Sequence, residues 1–536
     1  MKNKIWLLIC LSVVGLTGNS QDFFIDFQQC YGGSDFDGAS TIELIENGFV
    51  MLCGTKSNND DISFNHGGYD YWLLRTDMNG NLLWEKTYGG CDDDSPRDMV
   101  RTPDNGYIMF GYTFSDDGDI TGFNGGADYW VVKTDSLNNI EWQKCMGGSS
   151  LEVAYQIKLT SDSGYICIGY TASSDGDVTG FHGFYDAWVV KLSSEGEIEW
   201  NKCYGGSHID WGQCIIPTND GGYIIGGLTM STDGDVLCEL HSEYNDIWIV
   251  KLDSIGNIEW QQCYGGSFRE GVVNIKQTED EGYIFLGQTN SNDGDVSGLH
   301  GMPGTYFNDD FWIVKLDNTG NIEWQNCLGG SQEEFPHFLE LFNDGGYIVG
   351  GATKSHDGNV IGNNSNNGYL DMWVIKLSSS GNIEWQKCLG GVADNSARSI
   401  AIKSENNLLI SGTIDNSNTG DVNCNLHGAS DIWVVEIKDT STNVINQIEN
   451  KKWLKVYPNP AQDYVVFKIK VKGDNVIIRI SNVFGEIVTT LPIKNNQSSI
   501  KNQEIIWDTR NIKSGVYFYN LNLEGFSKIG KIVISK

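Results

Sequence analysis

The apolar positions of this chain fall into short runs that return at near-constant intervals. In one stretch four runs follow one another: "EVAYQIKLT", "SGYICIGYT", "DAWVVKLS" and "EIEWNKCY". Each is bounded by turn formers: "SDSG" after the first, "SSEG" after the third and "GGS" after the fourth. A Trp two residues after an Asp recurs at Trp72, Trp130, Trp188, Trp248, Trp312, Trp373 and Trp433, spaced 58 to 64 residues apart. A Gly-Gly pair closes the fourth run at Gly32-Gly33, Gly89-Gly90, Gly147-Gly148, Gly205-Gly206, Gly265-Gly266, Gly329-Gly330 and Gly390-Gly391. Almost nothing has the 3.6-residue period of an amphipathic helix.

Four short antiparallel strands (A to D) repeated seven times predict an all-β fold, a seven-bladed β-propeller. The last repeat supplies A ("DNSARSIAIKS"), B ("NLLISGT") and C ("DIWVVEIK") and then stops. An orphan D strand, "FIDFQQCY", stands near the start of the chain, with Phe27 in the Trp position and Cys30 in the Cys position. The N-terminal strand is therefore expected to complete the C-terminal blade through a backbone ladder, each bond worth about 0.5–1.5 kcal/mol net. The D-strand Trp, as in "LDNTGNIEW" (residues 316–324), resembles, one residue shorter, the docking pattern of quinoprotein-type and WD-repeat-like propellers. In that pattern the indole, which buries on the order of 200 Å², wedges against the neighbouring blade. A sugar-stacking platform is the alternative, and recurrence in every blade favours architecture.

Charge and targeting place the protein outside the cytoplasm. "MKNKIWLLICLSVVGLTGNSQ" has a basic start, an apolar run and a small-residue cleavage site, as a signal peptide does. No later run approaches the roughly 20 apolar residues of a membrane span. The 36 bases and 70 acids give a net charge of −34, which excludes nucleic acid as a partner. It accords with divalent cations, basic partners or plain solubility. The balance reverses in residues 454–536, which hold twelve bases and six acids. The expected organisation is a signal peptide (1–20), a propeller (21–440), a polar linker (441–453) and a C-terminal domain (454–536).

Six of the cysteines occupy one repeat position: Cys30, Cys145, Cys203, Cys263, Cys327 and Cys388. Adjacent blades hold them too far apart to bridge one another. Buried free thiols are expected there, with a local pair such as Cys203–Cys214 conceivable. The long B–C loops carry an Asp-Gly-Asp element: Asp117/Asp119, Asp175/Asp177, Asp233/Asp235 and Asp293/Asp295. Asx turns explain it with carboxylates capping backbone N–H groups. A bound Ca²⁺ explains it with paired acids that repel unless bridged. The histidines that follow, His66, His182, His241, His300 and His427, are one to a blade, which fits loop anchoring better than a converged zinc or general-base site. Tyr306 and Phe307, in the longest loop, and Trp211 are candidate contacts for a sugar or peptide. No nucleophile elbow, H-E-x-x-H, phosphate loop or Asp-box appears, so no catalytic residue is assigned.

The tail opens with "LKVYPNPAQDYVVFKI" and continues through about seven strands of a small Ig-like β-sandwich. Its markers are Tyr457-Pro458-Asn459-Pro460, the turn at Gly485, the strand entry around Gly515 and Tyr517, and a basic last strand with Lys528 and Lys531. In these motifs it resembles the C-terminal sorting domain of type IX secretion cargo. The resemblance implies export through the periplasm, recognition by the secretion machinery at the outer membrane, and removal by a sortase-like protease. The cargo then stays at the cell surface or is released. The reading that follows is a surface or secreted binding propeller with a glycan, peptide or protein ligand. A polysaccharide hydrolase or lyase and a structural adhesion protein are the alternatives.

Overall fold

The computed structural model describes residues 23–439 apart from 306–307, 366–367 and 416–418. In the C-terminal part it describes 454–458, 460–471, 476–482, 487–493, 501–523 and 526–536. The expected signal peptide and linker lie outside the described residues. Two compact units meet between Asp439 and Thr440.

The first unit is a ring of seven four-stranded antiparallel sheets. Six are continuous in sequence. Blade 3, for example, runs Glu152–Leu159, Tyr165–Thr171, Asp186–Leu192 and Ile198–Tyr204, in the order A-B-C-D. The seventh is built from both ends of the unit: Phe23–Tyr31 pairs with Ser430–Asp439 as its outer strand, behind Asn407–Asp415 and Asn395–Ser404. Cys30 stands opposite Trp433 in that ladder, just as Cys203 stands opposite Trp188 in blade 3. The divided repeat thus restores one more standard blade.

Each seam between blades is made in the same way. The seven C-strand Trp side chains are almost fully buried, and D-strand aromatics lean on the C–D turn of the next blade, except Trp385, which faces the divided blade and packs on Phe23 at 4.4 Å. Gly196 in that turn is left-handed (φ +80°), and a Cβ on it would lie 2.8 Å from the Trp142 ring. Gly256, Gly320 and Gly381 stand against Trp200, Trp260 and Trp324 in the same way. Glycine adopts this dihedral without strain and leaves room for the ring, and blade 2 places Asn138 (φ +64°) at the same position, where its carbonyl accepts from Tyr88 Oη at 2.8 Å. Tyr204 Oη donates to Gly256 O at 2.7 Å, and at the closing seam Tyr31 Oη donates to Gly80 O at 2.6 Å while Phe27 replaces the indole.

The cysteines depart from expectation at two of the six repeat positions. Cys30 is bonded to Cys424 and Cys263 to Cys238, whereas Cys145, Cys203, Cys327 and Cys388 are buried free thiols. Cys203 and Cys214 are both free. The cause lies in the B–C loop. The loop residue facing the D-strand cysteine is glycine in other blades: a Cβ on Gly298 would lie 3.9 Å from Cys327 Cβ. Blades 4 and 7 carry Cys238 and Cys424 at this place in "DVLC" and "DVNC". The six equivalent cysteines do not bridge one another, as distance requires.

The second unit is a pair of sheets. One holds Leu454–Tyr457, Tyr464–Val471 and Lys501–Asp508. The other holds Ile487–Ile493, Val476–Asn482, Gly515–Leu523 and Phe526–Ile534 in that order. Val465, Phe467, Ile478, Ile480, Trp507 and Ile532 are the heart of its core.

The Cys30–Cys424 bond spans 394 residues, so in the loop-entropy view it removes on the order of 5 kcal/mol of freedom from the unfolded chain. Differential alkylation and mass spectrometry of the non-reduced protein should link the peptide of Cys30 to that of Cys424. Cys424→Ser should lower the propeller's melting temperature by several degrees more than Cys238→Ser, which opens a bond of sequence separation 25. Equal melting of the two variants would show that the bond adds nothing to ring closure.

Candidate ligand site on the propeller axis

The loop-face acids hold the loops themselves. Asp117, Asp175, Asp233 and Asp293 each accept a backbone N–H through Oδ1, from Cys91 (2.8 Å), Ser149 (2.8 Å), Ser207 (2.7 Å) and Ser267 (2.7 Å) respectively. Asp119, Asp177 and Asp295 accept from Gly89 (3.3 Å), Gly147 (3.3 Å) and Gly265 (3.4 Å). Asp235 instead faces His182 Nε2 at 3.7 Å. Each Asp-Gly-Asp element therefore latches the Gly-Gly turn by which the chain enters that blade. Among the described residues no group of three or more His, Cys, Asp or Glu side chains is arranged to hold a metal ion.

The histidines tie one blade to the next. His66 Nδ1 meets Asp70 Oδ2 at 2.7 Å, and its Nε2 faces Asp119 of the following blade at 3.8 Å. His241 repeats this with Asp246 (2.7 Å) and Asp295 (3.3 Å). His300 and His427 anchor to Asp310 (2.7 Å) and Asp431 (3.2 Å). They are spread around the ring.

Beneath each loop lie two buried side chains, the first residue of strand C and the first residue of the next blade's strand A. The pairs include Asp70/Asp94, Asp128/Glu152, Asp246/Glu270 and Asp310/Glu334, and in one seam Asp371 faces Asn395. Both members close on the first glycine of the Gly-Gly turn: a Cβ on Gly329 would lie 2.3 Å from Glu334 Oε2 and 2.5 Å from Asp310 Oδ1. Burial is the first cause of their raised pKa values, with like charge across the pair adding to it. Asp94 and Asp310 rise to about 6, Asp128 and Glu270 to about 7, and Glu334 to about 8.

The residues that differ from blade to blade face the axis. Every innermost strand carries a β-bulge at one position, where an extra residue has no partner on strand B. A bulge re-aims its side chain, and here all seven line a cavity of about 870 Å³ on the axis. In ring order they are Ser40, Arg97, Tyr155, Gln213, Val273, His337 and Arg398. One to three residues further along the strands the charges are matched, Lys158 with Asp98 (2.6 Å) and Lys276 with Glu340 (2.8 Å). His337 Nε2 lies 3.1 Å from Ser396 Oγ, and an Arg398 guanidinium nitrogen lies 3.5 Å from its Nδ1. Burial, and then the Arg398 charge, hold His337 well below the usual histidine range, so it is neutral at pH 7. Arg398 faces Nδ1 as a donor, so Nε2 carries the ring proton and donates to Ser396. An imidazole so held cannot act as a base toward that hydroxyl.

Aromatic side chains adjoin one arc of this lumen. Arg97 lies over Tyr112 (5.3 Å) and Tyr155 (5.7 Å) and donates to Tyr112 Oη at 3.2 Å. Tyr155 is 6.1 Å from Tyr170, which stacks on Trp211 at 5.0 Å with planes 16° apart. Trp211 thus stands half-buried beside the axis rather than in a blade core. Tyr306 and Phe307 lie outside the described residues.

In the second unit Tyr457, Pro458 and Pro460 are exposed, and Asn459 and Gly485 lie outside the described residues. Gly515 opens its strand. Tyr517 is buried against Trp507 (5.7 Å) and donates to Lys513 O at 2.9 Å. Lys531 is exposed on the last strand, opposite Phe518, and Lys528 pairs through its backbone with Leu521.

The comparisons agree with this division. Residues 455–535 match the model of the secretion system C-terminal sorting domain. No curated protein matches the chain. Among solved structures, puromycin hydrolase aligns with 80% of this chain at 10% identity and a TM-score of 0.43, and the chain spans 58% of that protein's length. The aldose sugar dehydrogenase of Streptomyces coelicolor aligns with 64% of this chain and 94% of its own at 12% identity and a TM-score of 0.33. PorZ, a surface component of the type IX secretion system of Porphyromonas gingivalis, aligns with 93% of this chain and 81% of its own at 11% identity and a TM-score of 0.19. The chain is thus a β-propeller followed by a secretion-system sorting domain. That type IX sorting tail indicates export to the cell surface or the medium.

The buried carboxyls give the ring a definite pH profile. Groups whose folded pKa is raised contribute stability that is complete below their ordinary value near 4. That stability is lost as pH climbs through about 6 to 8. At Asp104 and Asp220 burial alone would raise the pKa, but Lys133 and Lys251 with neighbouring donors outweigh it and bring both to about 2. Their contribution is present above the ordinary carboxyl value and fails as pH falls through about 2. The melting temperature should therefore peak near pH 4–5 and decline toward pH 8. Glu334→Gln, which copies the amide of Asn395, should flatten the alkaline side, and an unchanged slope in calorimetry would refute the assignment.

Proposed function

We propose that the protein is an extracellular binding module that takes its ligand in the axial lumen and has no hydrolytic role. The observation that carries this reading is the set of seven bulges, which turn seven side chains of six kinds toward one cavity. The repeated acids of the loop face, by contrast, are spent on holding the loops. The neutral His337, with its proton directed to Ser396, supports binding over nucleophilic catalysis. The Asp-Gly-Asp carboxylates act in this reading as caps, with calcium a secondary ligand at most. The sorting tail delivers the propeller and is cut off by a sortase-like protease in the segment between the two units.

A glycan and peptide array probed with the full mature chain, with and without calcium, tests this. Retention of one ligand class is expected, falling at least ten-fold with Tyr155→Ala or His337→Ala at unchanged melting temperature. Retention untouched by both substitutions would place the site elsewhere, and no retention of any class would remove the binding reading.

A further inference from the structure

The axial lumen is lined by as many bases as acids in a strongly acidic protein, and this inference deepens the binding reading above and rests on it. The whole chain carries −34, yet the two arginines at the bulges, Arg97 and Arg398, have no carboxylate partner among the described residues. Arg97 makes only the hydrogen bond to Tyr112 and its two ring contacts. Arg398 is near His337 alone. Burial, and then the Arg97 charge, depress the Arg398 pKa, so the two guanidiniums stand within electrostatic reach of each other. Between them in ring order is blade 1, whose bulge residue is the small Ser40. Elsewhere in the same lumen the lysines are neutralised by Asp98 and Glu340. Two unmatched like charges facing a solvent-filled space are stabilised by an anion placed between them.

The neighbouring aromatic surface specifies what else the anion carries. The centre of the Tyr155 ring lies 5.7 Å from the Arg97 guanidinium carbon, and the Tyr170–Trp211 stack continues from it at 6.1 Å. A ligand reaching both features has an acidic group directly on a ring that can lie flat on an aromatic face. Guanidinium forks match the two oxygens of a carboxylate. A cavity of about 870 Å³ is of the size that admits a short oligosaccharide. We infer that the axial lumen binds an acidic saccharide, its ring carboxylate held between Arg97 and Arg398 over Ser40 and its ring face on Tyr155.

The test is isothermal titration of the chain with its sorting tail retained, at low and at moderate salt. The probes are trigalacturonate, its methyl ester, oligomers of glucuronate and mannuronate, sialyllactose, a sulfated trisaccharide and inorganic phosphate. At least one carboxylated probe should bind and weaken with salt. Its ester, or its carboxyl-reduced form for the other acids, should bind at least ten-fold more weakly. Arg97→Gln and Arg398→Gln should each cost ten-fold or more at unchanged melting temperature, whereas Arg510→Gln, in the tail, should cost nothing. Equal binding of acid and neutral form, or indifference to both arginine substitutions, overturns the inference while leaving the binding reading in place. Stronger binding of the sulfated sugar or phosphate overturns the carboxylate assignment. Silence of every probe overturns the inference, and only silence of the array as well removes the binding reading.

Discussion

A closed ring of sheets has one seam that the chain crosses only by bringing its two ends together, and everything on the axis depends on that seam matching the other six. The match here is made at every level. The ladder from Phe23 to Tyr31 has the register of an ordinary D strand, including the shift at Asp26, which matches the shift at Glu199 in blade 3. Phe27 lies against Gly80 as an indole lies against the equivalent glycine elsewhere. Tyr31 donates to the C–D turn of blade 1 at Gly80 as Tyr204 does to that of blade 4 at Gly256. The Cys30–Cys424 bond then makes the join covalent. A non-equivalent seam would let the ring open and would disperse the seven bulges that define the lumen.

The ring and its closure could be read from sequence because they rest on local, repeated signals. Strand alternation, Gly-Gly turns and the D-strand Trp return with every blade, and the missing strand is conspicuous by its orphaned copy. The disulfides were not read correctly, because they depend on a single exception in a loop. "DVLC" and "DVNC" replace a glycine, and that substitution was the available signal. The axial site was hidden for a different reason. A bulge breaks the two-residue period without leaving a mark in composition, so Arg97, Tyr155, His337 and Arg398 look like ordinary variation within strand A. The loop acids stand out in the sequence because repetition makes a pattern visible, whereas the bulge side chains differ from blade to blade and form no pattern.

The large negative charge has the same origin. The blades use acids as fixed acceptors: the first residue of strand C, most first residues of strand A, the Asp-Gly-Asp latch of blades 2 to 5, and in blades 2 to 6 a pair that grips the buried C-strand lysine. Lys251, for example, meets Asp220 and Glu259, both at 2.9 Å. Multiplied around the ring, these account for much of the acid excess without any ligand. Blade 7 shows that the grip is a matter of pairing rather than sign. There Glu436 takes the lysine's place in the strand, and Lys403 meets it at 2.6 Å.

Net charge is therefore a poor guide to what this propeller recognises, and local imbalance is a better one. An acid that already accepts two or three N–H groups has little field left to offer a distant cation. An arginine without a carboxylate, set in a lumen walled by low-dielectric sheet, projects its field along the axis. The outer surface keeps the protein soluble after export and repels anionic neighbours at close range. In the lumen bases and acids are equal in number, so the field there is set by which of them lack partners rather than by the excess of acids outside.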